Sequence, residues 1–448
     1  MNTRNVLLTA LIILLSVSVF GQSDDSIQTD NLFGDDSSAL VEETPEDTEE
    51  NDLTTELLTS DTGVVLGGRY HFSASASVVE DNLVNPAMDS LDDSFSLDLG
   101  TTLSFDARPD DSIRVLGKVA VSYPFIYDTS RNFSDVFHVT ELFSDFNIDD
   151  RIFFRAGKST VNWGVGYFFS PADLLNLSKV DPEDPDAELE GPVSVKMNLP
   201  FGLNNLYLYV IAPEGITSAS ELAAAPMAEF VFGITELGVG AYYQKDHSPA
   251  AMATLTSAAG DFSLFAEGVV TYGTDKTFVQ DGPSLITYDD KLFYKATIGT
   301  MYTWSDDLSN FKVSFTGQYL FNGEGYAYDD QDFVTANRQI VMAGIMSGSG
   351  VFSALSLSDI AETGRHYGAA SLRWSSMLQS DFSLSVFYLG NFSDGSGMIK
   401  PTLSFSGLDD IDISLGLSYL YGEAGDEYTP FGDSVSASLT FTLGGTAF

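Results

Sequence analysis

Nothing limits the fold of this chain more than the period-two alternation that starts near Val64 and runs to its end. Over 95–105, Phe95, Leu97, Leu99, Leu103 and Phe105 share one face, while Ser96, Asp98, Gly100, Thr102 and Ser104 share the other. Successive side chains of a strand point to opposite sides, so such a segment separates two environments. The pattern recurs over 311–321, where Phe311, Val313, Phe315 and Tyr319 oppose Lys312, Ser314, Thr316 and Gln318. It returns over 411–421 and over 435–443, where the second face is Ser434, Ser436, Ser438, Thr440 and Thr442. A soluble sandwich usually charges its outer face. Here hydroxyls and glycines dominate, which suits a hydrated lumen whose opposite face meets lipid.

The alternation divides into about 18 strands whose links alternate in length. Short turns fall at 108–111, 149–150, 200–204, 259–261, 305–309, 375–380 and 407–410. Between them lie longer links at 80–93, 124–133, 164–191, 213–227, 273–290, 324–364 and 422–433. This regularity predicts an all-β fold: a transmembrane antiparallel β-barrel of 16–18 strands with both termini periplasmic. Closure gives every backbone group in hydrocarbon a partner and removes the sheet edges. Trp304 and Trp374 directly precede short turns, where a periplasmic aromatic girdle belongs. Tyr123, Tyr242, Tyr272, Tyr419 and Tyr421 stand at the opposite strand ends. Phe448 closes the sequence as in chains handed to the barrel-assembly machinery, an expected partner through the C-terminal strand beside the outer-membrane lipid bilayer. It is out of step with Leu439, Phe441 and Leu443, so Gly444 and Gly445 must shift the register if all face lipid.

Before the barrel, Arg4 is followed by an apolar run over 6–20, with Val19 and Gly21 placed for signal peptidase. The run is shorter than the roughly 20 residues of a membrane-spanning helix. Over 23–61 there are 14 acids and no Lys or Arg, a composition that cannot bury enough surface to order itself. The expected organisation is a signal peptide at 1–21, an acidic disordered periplasmic tail at 22–62 and the barrel at 63–448. The 52–60 segment is the part of the tail suited to form a short helix on a partner. Cysteine is absent, so neither disulfides nor thiolate metal sites hold the chain together. With 20 Lys and Arg against 64 Asp and Glu, the net charge of −44 argues against a nucleic-acid partner.

One stretch breaks the alternation. Arg155 to Trp163 ends as a strand, then glycines and a proline lead into the long 164–191 link. Gly157-Lys158, Trp163-Gly164-Val165-Gly166 and Pro171-Ala172-Asp173-Leu174-Leu175-Asn176 together resemble the WGxG…PxD motif of a family of porin-like outer-membrane barrels in diderm bacteria. Gly364-Arg365-His366-Tyr367, the 391–396 stretch and Pro401 echo the same family, and the match spans roughly 136–423 in order. The resemblance implies a channel-like barrel; a more distant one, to the long-chain fatty-acid transporter barrels, covers architecture alone. Physically, the glycines free the backbone to fold into the barrel mouth over Trp163, and a loop folded inward narrows a pore. Gly157, Lys158, Trp163, Gly164, Gly166, Pro171 and Asp173 are the candidate constriction residues.

Parity turns several charges toward the lumen: Asp98, Arg114, Lys118, Lys196, Glu267, Lys312, Arg373 and Asp412, with Arg155 joining them if Phe154 faces lipid. Facing lipid, a base costs about 2 to 4 kcal/mol at the midplane. The 181–190 segment carries Asp181, Glu183, Asp184, Asp186, Glu188 and Glu190, an acidic mouth above a basic ring. The excess of acids favours weak cation preference, unless Asp98, Glu267 and Asp412 pair with lumen bases and cancel the field. The acids lack the spacing and glycine of a calcium loop, and no cofactor or metal is expected. An enzyme would need His138 or His366 beside a carboxylate such as Glu141 or Asp359, and no catalytic motif accompanies them. The expected function is passive diffusion of small hydrophilic solutes or ions. The alternatives are an adhesin or anchor acting through its loops or acidic tail, and a hydrophobic-substrate transporter of the fatty-acid type.

Overall fold

The computed structural model describes residues 63–81, 90–110, 112–124, 136–213, 215–280, 284–306, 311–326, 332–348, 350–408 and 411–446. The expected signal peptide, the acidic tail and Phe448 lie outside these residues.

The alternation becomes β1 (Gly63–Asp81), β2 (Ser90–Asp110), β3 (Ile113–Pro124), β4 (Phe137–Ile148), β5 (Ile152–Lys158), β6 (Val193–Phe201), β7 (Asn204–Ala212), β8 (Ala223–Phe232), β9 (Thr235–Tyr242), β10 (Ala250–Ala259) and β11 (Phe262–Tyr272). A small loop hairpin follows, β12 (Phe278–Gln280) with β13 (Ser284–Ile286). The wall then resumes with β14 (Leu292–Ser305), β15 (Lys312–Asn322), β16 (His366–Ser375), β17 (Phe382–Asn391), β18 (Ser396–Leu408), β19 (Ile411–Tyr421) and β20 (Ser434–Thr446). Apart from the loop hairpin, each strand pairs antiparallel with its neighbours in sequence, and β1 pairs with β20, Ser73 opposite Thr442. The result is one 18-stranded sheet closed on itself, within the expected 16–18.

Side-chain exposure follows the predicted parity. Along β10, Ala250, Met252 and Thr254 are buried while Ala251, Ala253 and Leu255 are exposed. Outward residues such as Leu103, Leu417 and Ile298 form an apolar exterior, 48–63 % exposed, which only lipid covers without penalty. Pro401, which cannot donate to a ladder, sits at a gap in one. On the β19 side the pairing runs from Ile399 to Thr402 and omits residues 400 and 401, where no ladder donor is required.

The short turns and the start of β1 share one rim with the end of β20; the long links share the other. Three links were not foreseen: a tight turn at 233–234, a link at 243–249 and a tight return at 392–395. Two of the long loops are also folded. The 323–365 loop contains α1 (Asp332–Ser347), whose Val334 and Val341 pack with Phe278, Val279, Phe293, Tyr326, Leu355 and Ile360. Arg338 ties α1 down from within by donating to the carbonyls of Gly425 and Ile360 and to Thr363 Oγ1.

Leu417 faces outward at the middle of β19, and Ser418 faces inward. Leu417→Arg should therefore lower stability in urea titrations of the lipid-reconstituted barrel by about 2 to 4 kcal/mol. Ser418→Arg should change it much less; equal losses would contradict the assigned faces.

A candidate constriction built by the 159–192 loop

The loop between β5 and β6 starts from a clamped base. Ser159 N donates to Pro192 O at 3.4 Å, Thr160 Oγ1 to Leu189 O at 2.7 Å, and Leu177 N to Glu190 O at 2.7 Å. Asn176 holds Val161 by both backbone groups, accepting from its N–H at 2.9 Å and donating to its C=O at 2.7 Å. The same Asn176 amide donates to both oxygens of Asp173 at 3.0 Å. This explains the Asp and Asn of the PxD segment: they fold the loop on itself. At Gly157, still paired on both sides within β5, φ is +139° and a Cβ would collide with the Leu142 carbonyl, so only glycine fits just before the chain leaves the sheet.

From this base the loop reaches walls on both sides of the ring. β15 lies seven strands from β6 in one direction, and β18 lies seven strands from β5 in the other. On the first side, Glu267 of β11 accepts hydrogen bonds from Val165 N, Gly166 N, Ser170 Oγ and Ala172 N at 2.5 to 3.0 Å. Gln318 of β15 accepts from the N–H groups of Tyr167, Phe168 and Phe169 and donates to Phe169 O at 2.6 Å. On the second side, Glu183 meets Lys400 of β18 at 3.0 Å. A loop bonded to such separated inward faces crosses the lumen.

Apolar packing seals it. Trp163, 1 % exposed, meets Tyr209 edge-on at 5.7 Å within a cluster of Val161, Ala172 and Leu175 with inner residues of β7, β8, β10 and β11. Phe168 and Phe169 pack into a second cluster with Leu320, Tyr367, Ala369, Leu389 and Met398. Tyr242 joins the first cluster, so it packs beneath the loop and not in an outer girdle, as its strand-end position suggested. Tyr272 and Tyr419 remain exposed, and the side chain of Tyr123 lies outside the described residues. Trp304 and Trp374 stand on one row, each opposite Val313, at the short-turn rim. Gly164 and Gly166 touch Ser170 and the Phe169 carbonyl so closely that a Cβ would displace them. Pro171 leads into the buried Ala172.

The charges of wall and loop largely find one another. Lys118 bonds Glu141 at 2.8 Å and Glu188 at 3.2 Å, and Lys158 bonds Glu190 at 2.5 Å. The Lys158 hydrogen bond and charge hold the Glu190 carboxyl below the usual range. Arg114 bonds Asp106 at 2.9 Å, and Arg155 bonds the fully buried Asp145 at 2.7 Å. Lys196 lies over the Tyr207 ring at 4.6 Å. Two expected pairings with bases are replaced: Glu267 holds loop amides, and Asp98 holds His71 at 2.9 Å. Asp412 is half-buried, as is Lys312, whereas Arg373 is exposed.

The two histidines near the long-link rim meet partners other than Glu141 and Asp359. His138 meets Glu190 at 3.3 Å, and His366 meets the Tyr319 hydroxyl at 2.6 Å. The second group of motif residues converges on Glu427, which the sequence did not single out. Its Oε2 accepts from Tyr367 Oη, Thr363 Oγ1 and Asn391 Nδ2 at 2.8 to 2.9 Å, and burial pushes its carboxyl up. Gly364, His366 and Ser393 are stitched beside it.

Where the loop does not reach, the inner face is hydroxylic and half-exposed: Ser73 and Ser75 of β1, Ser414 and Ser418 of β19, Ser438 and Thr440 of β20. The arrangement is a lumen divided by a bonded loop, dry on the β7–β11 side and polar on the β19–β2 side.

No protein-family model matches the sequence, and no curated relative matches it. Among solved structures, Acinetobacter baumannii OccAB1 shares 10% identity at a TM-score of 0.50, over 88% of this chain and 100% of that one. Pseudomonas aeruginosa OccK11 (OpdR) shares 9% identity at a TM-score of 0.47, over 87% and 98%. An OccD1 (OprD) variant shares 9% at 0.48, over 88% and 98%.

Burial pushes the Asp173 carboxyl from 3.8 up to about 6, against the pull of its hydrogen bonds from Asn176. A pKa raised by folding means the folded loop binds the proton more tightly. Its stability then grows as pH falls through about 6 and is fully gained below 3.8. Protection of the Val161 amide, corrected for intrinsic exchange, should be greater at pH 5 than at pH 7. Asp173→Asn should abolish that difference; an unchanged pH response in the variant would assign it elsewhere. The chain is similar to OccAB1 in fold.

Proposed function

We propose that the protein is an outer-membrane channel through which small hydrophilic solutes or ions diffuse passively, narrowed by the 159–192 loop. One observation carries the reading: the loop is bonded to walls on both sides of the ring while, among the described residues, the β19–β2 hydroxyl face is left half-exposed. An anchor would have no use for a hydroxyl-lined interior, and a carrier of apolar cargo would not leave that face wet. In this reading the short-turn rim is periplasmic, with Trp304 and Trp374 at its interface and the long loops at the cell surface. The barrel belongs with the porin-like barrels that carry the WGxG…PxD motif, through Trp163, Gly164, Gly166, Pro171 and Asp173.

Charge balance sets the expected selectivity. Glu183, Glu188 and Glu190 each meet a wall lysine, which reduces the acidic field of the loop and leaves weak cation preference from the remaining carboxylates.

Purified protein in a planar bilayer should give ohmic openings, with a reversal potential under a salt gradient that reports weak cation preference. Deleting 165–190 should raise single-channel conductance severalfold. Unchanged conductance after the deletion would remove the loop's narrowing role, and a silent bilayer would favour the anchor.

A further inference from the structure

An irregular segment inside a barrel has the same difficulty as one in any interior: its amides have no ladder to join. Over 165–172 the backbone offers two chemically different edges. Val165, Gly166 and Ala172 present N–H groups, and Ser170 adds a hydroxyl proton, with no acceptor among them. Tyr167, Phe168 and Phe169 present N–H groups together with the Phe169 carbonyl. The wall answers each edge with the group that fits it.

Glu267, 4 % exposed, offers acceptors alone. Oε1 takes three donors and Oε2 takes the fourth. Gln318, 6 % exposed, offers one acceptor oxygen and an NH2 group with two donor protons. Its orientation is fixed from behind by Thr297, whose hydroxyl proton is committed to Tyr319 O at 2.8 Å and whose lone pair receives Gln318 Nε2 at 2.7 Å. Oε1 is thereby turned toward the three amides, and the remaining Nε2 proton toward Phe169 O. Glu267 and Thr297 are directly paired across β11 and β14, so the whole device is built on three adjacent strands.

We infer that the 165–172 segment is an anion nest whose resident anion is the carboxylate of Glu267, and that Glu267 and Gln318 are positioning residues that fix the loop across the lumen by non-interchangeable chemistry. Glutamine at 267 would turn an NH2 group against an amide N–H. Glutamate at 318 would turn an oxygen against Phe169 O. Both changes conserve size, so they test chemistry and not volume. A truncated side chain at 267, by contrast, leaves the nest vacant for a small free carboxylate. The channel reading gives this device its purpose, since the position it fixes is that of the constriction.

The test is amide exchange of the full-length barrel in lipid, read over 165–172, with β19 and β20 as an internal reference. Glu267→Gln and Gln318→Glu should each accelerate exchange there by about tenfold or more, as expected for loss of a charge-assisted or doubly satisfied bond. The reference strands should be unchanged. Glu267→Ala should accelerate it similarly, and added sodium formate, but not sodium chloride of equal ionic strength, should restore protection. Formate should not rescue Glu267→Gln, whose side chain fills the space. Wild-type protection in Glu267→Gln would overturn the inference, as would formate acting equally on both variants. If Glu267→Ala fails to assemble, the two size-conserving variants decide the matter. Exchange does not depend on conduction: a silent bilayer with these results would sink the channel reading alone, and a conducting barrel without them would sink this one.

Discussion

Every backbone N–H and C=O that lies in hydrocarbon must find a partner within the protein, because lipid supplies none. That requirement forces the last strand onto the first, and the pairing of β1 with β20 meets it. Once the sheet is closed, its two faces answer to different solvents, and the outer face has little freedom: it is mostly apolar. The inner face is free to be hydroxylic, charged or greasy. The molecule uses all three in different sectors.

The same requirement returns inside the lumen for the 159–192 loop, which leaves the sheet after Lys158 and then must satisfy its own amides. It does so by borrowing side chains from the wall. Glu267 and Gln318 serve the 165–172 backbone, Asn176 serves Val161, and the lysines of β3, β5 and β18 meet the loop's carboxylates. A second set of irregular segments is tied by Glu427 and Arg338. Polar residues buried inside the barrel are thus mostly there to hold loops.

How legible all this is in the sequence depends on contrast between the two faces. Where the inner face is Ser and Thr, as in β2, β19 and β20, period two is obvious and the strands are read correctly. Ala223, Ala225 and Met227 of β8 face the loop, and Ala224 and Pro226 face out, so both faces are apolar and the alternation vanishes. With no contrast between its faces, nothing in the sequence marks the turn at 233–234. Glu267 was legible as an inward charge but not as a ligand for backbone, since its donors come from about a hundred residues earlier. Gln318 carried a faint signal: an amide among hydroxyls on the inner face of β15. Glu427 carried none, because its partners come from one loop and the ends of two strands, 36 to 64 residues earlier.

The central claim is a water-filled path along the β19–β2 wall beside a dry, loop-covered wall. The absence of cysteine allows a direct test by single cysteines in lipid-reconstituted protein, treated with a charged, membrane-impermeant thiol reagent. The account predicts rapid modification at Ser75 and Ser438, and protection both at Ala225, beneath the loop, and at Leu417, against lipid. Modification of Ala225 as fast as Ser438, or protection of Ser75 and Ser438, would contradict it.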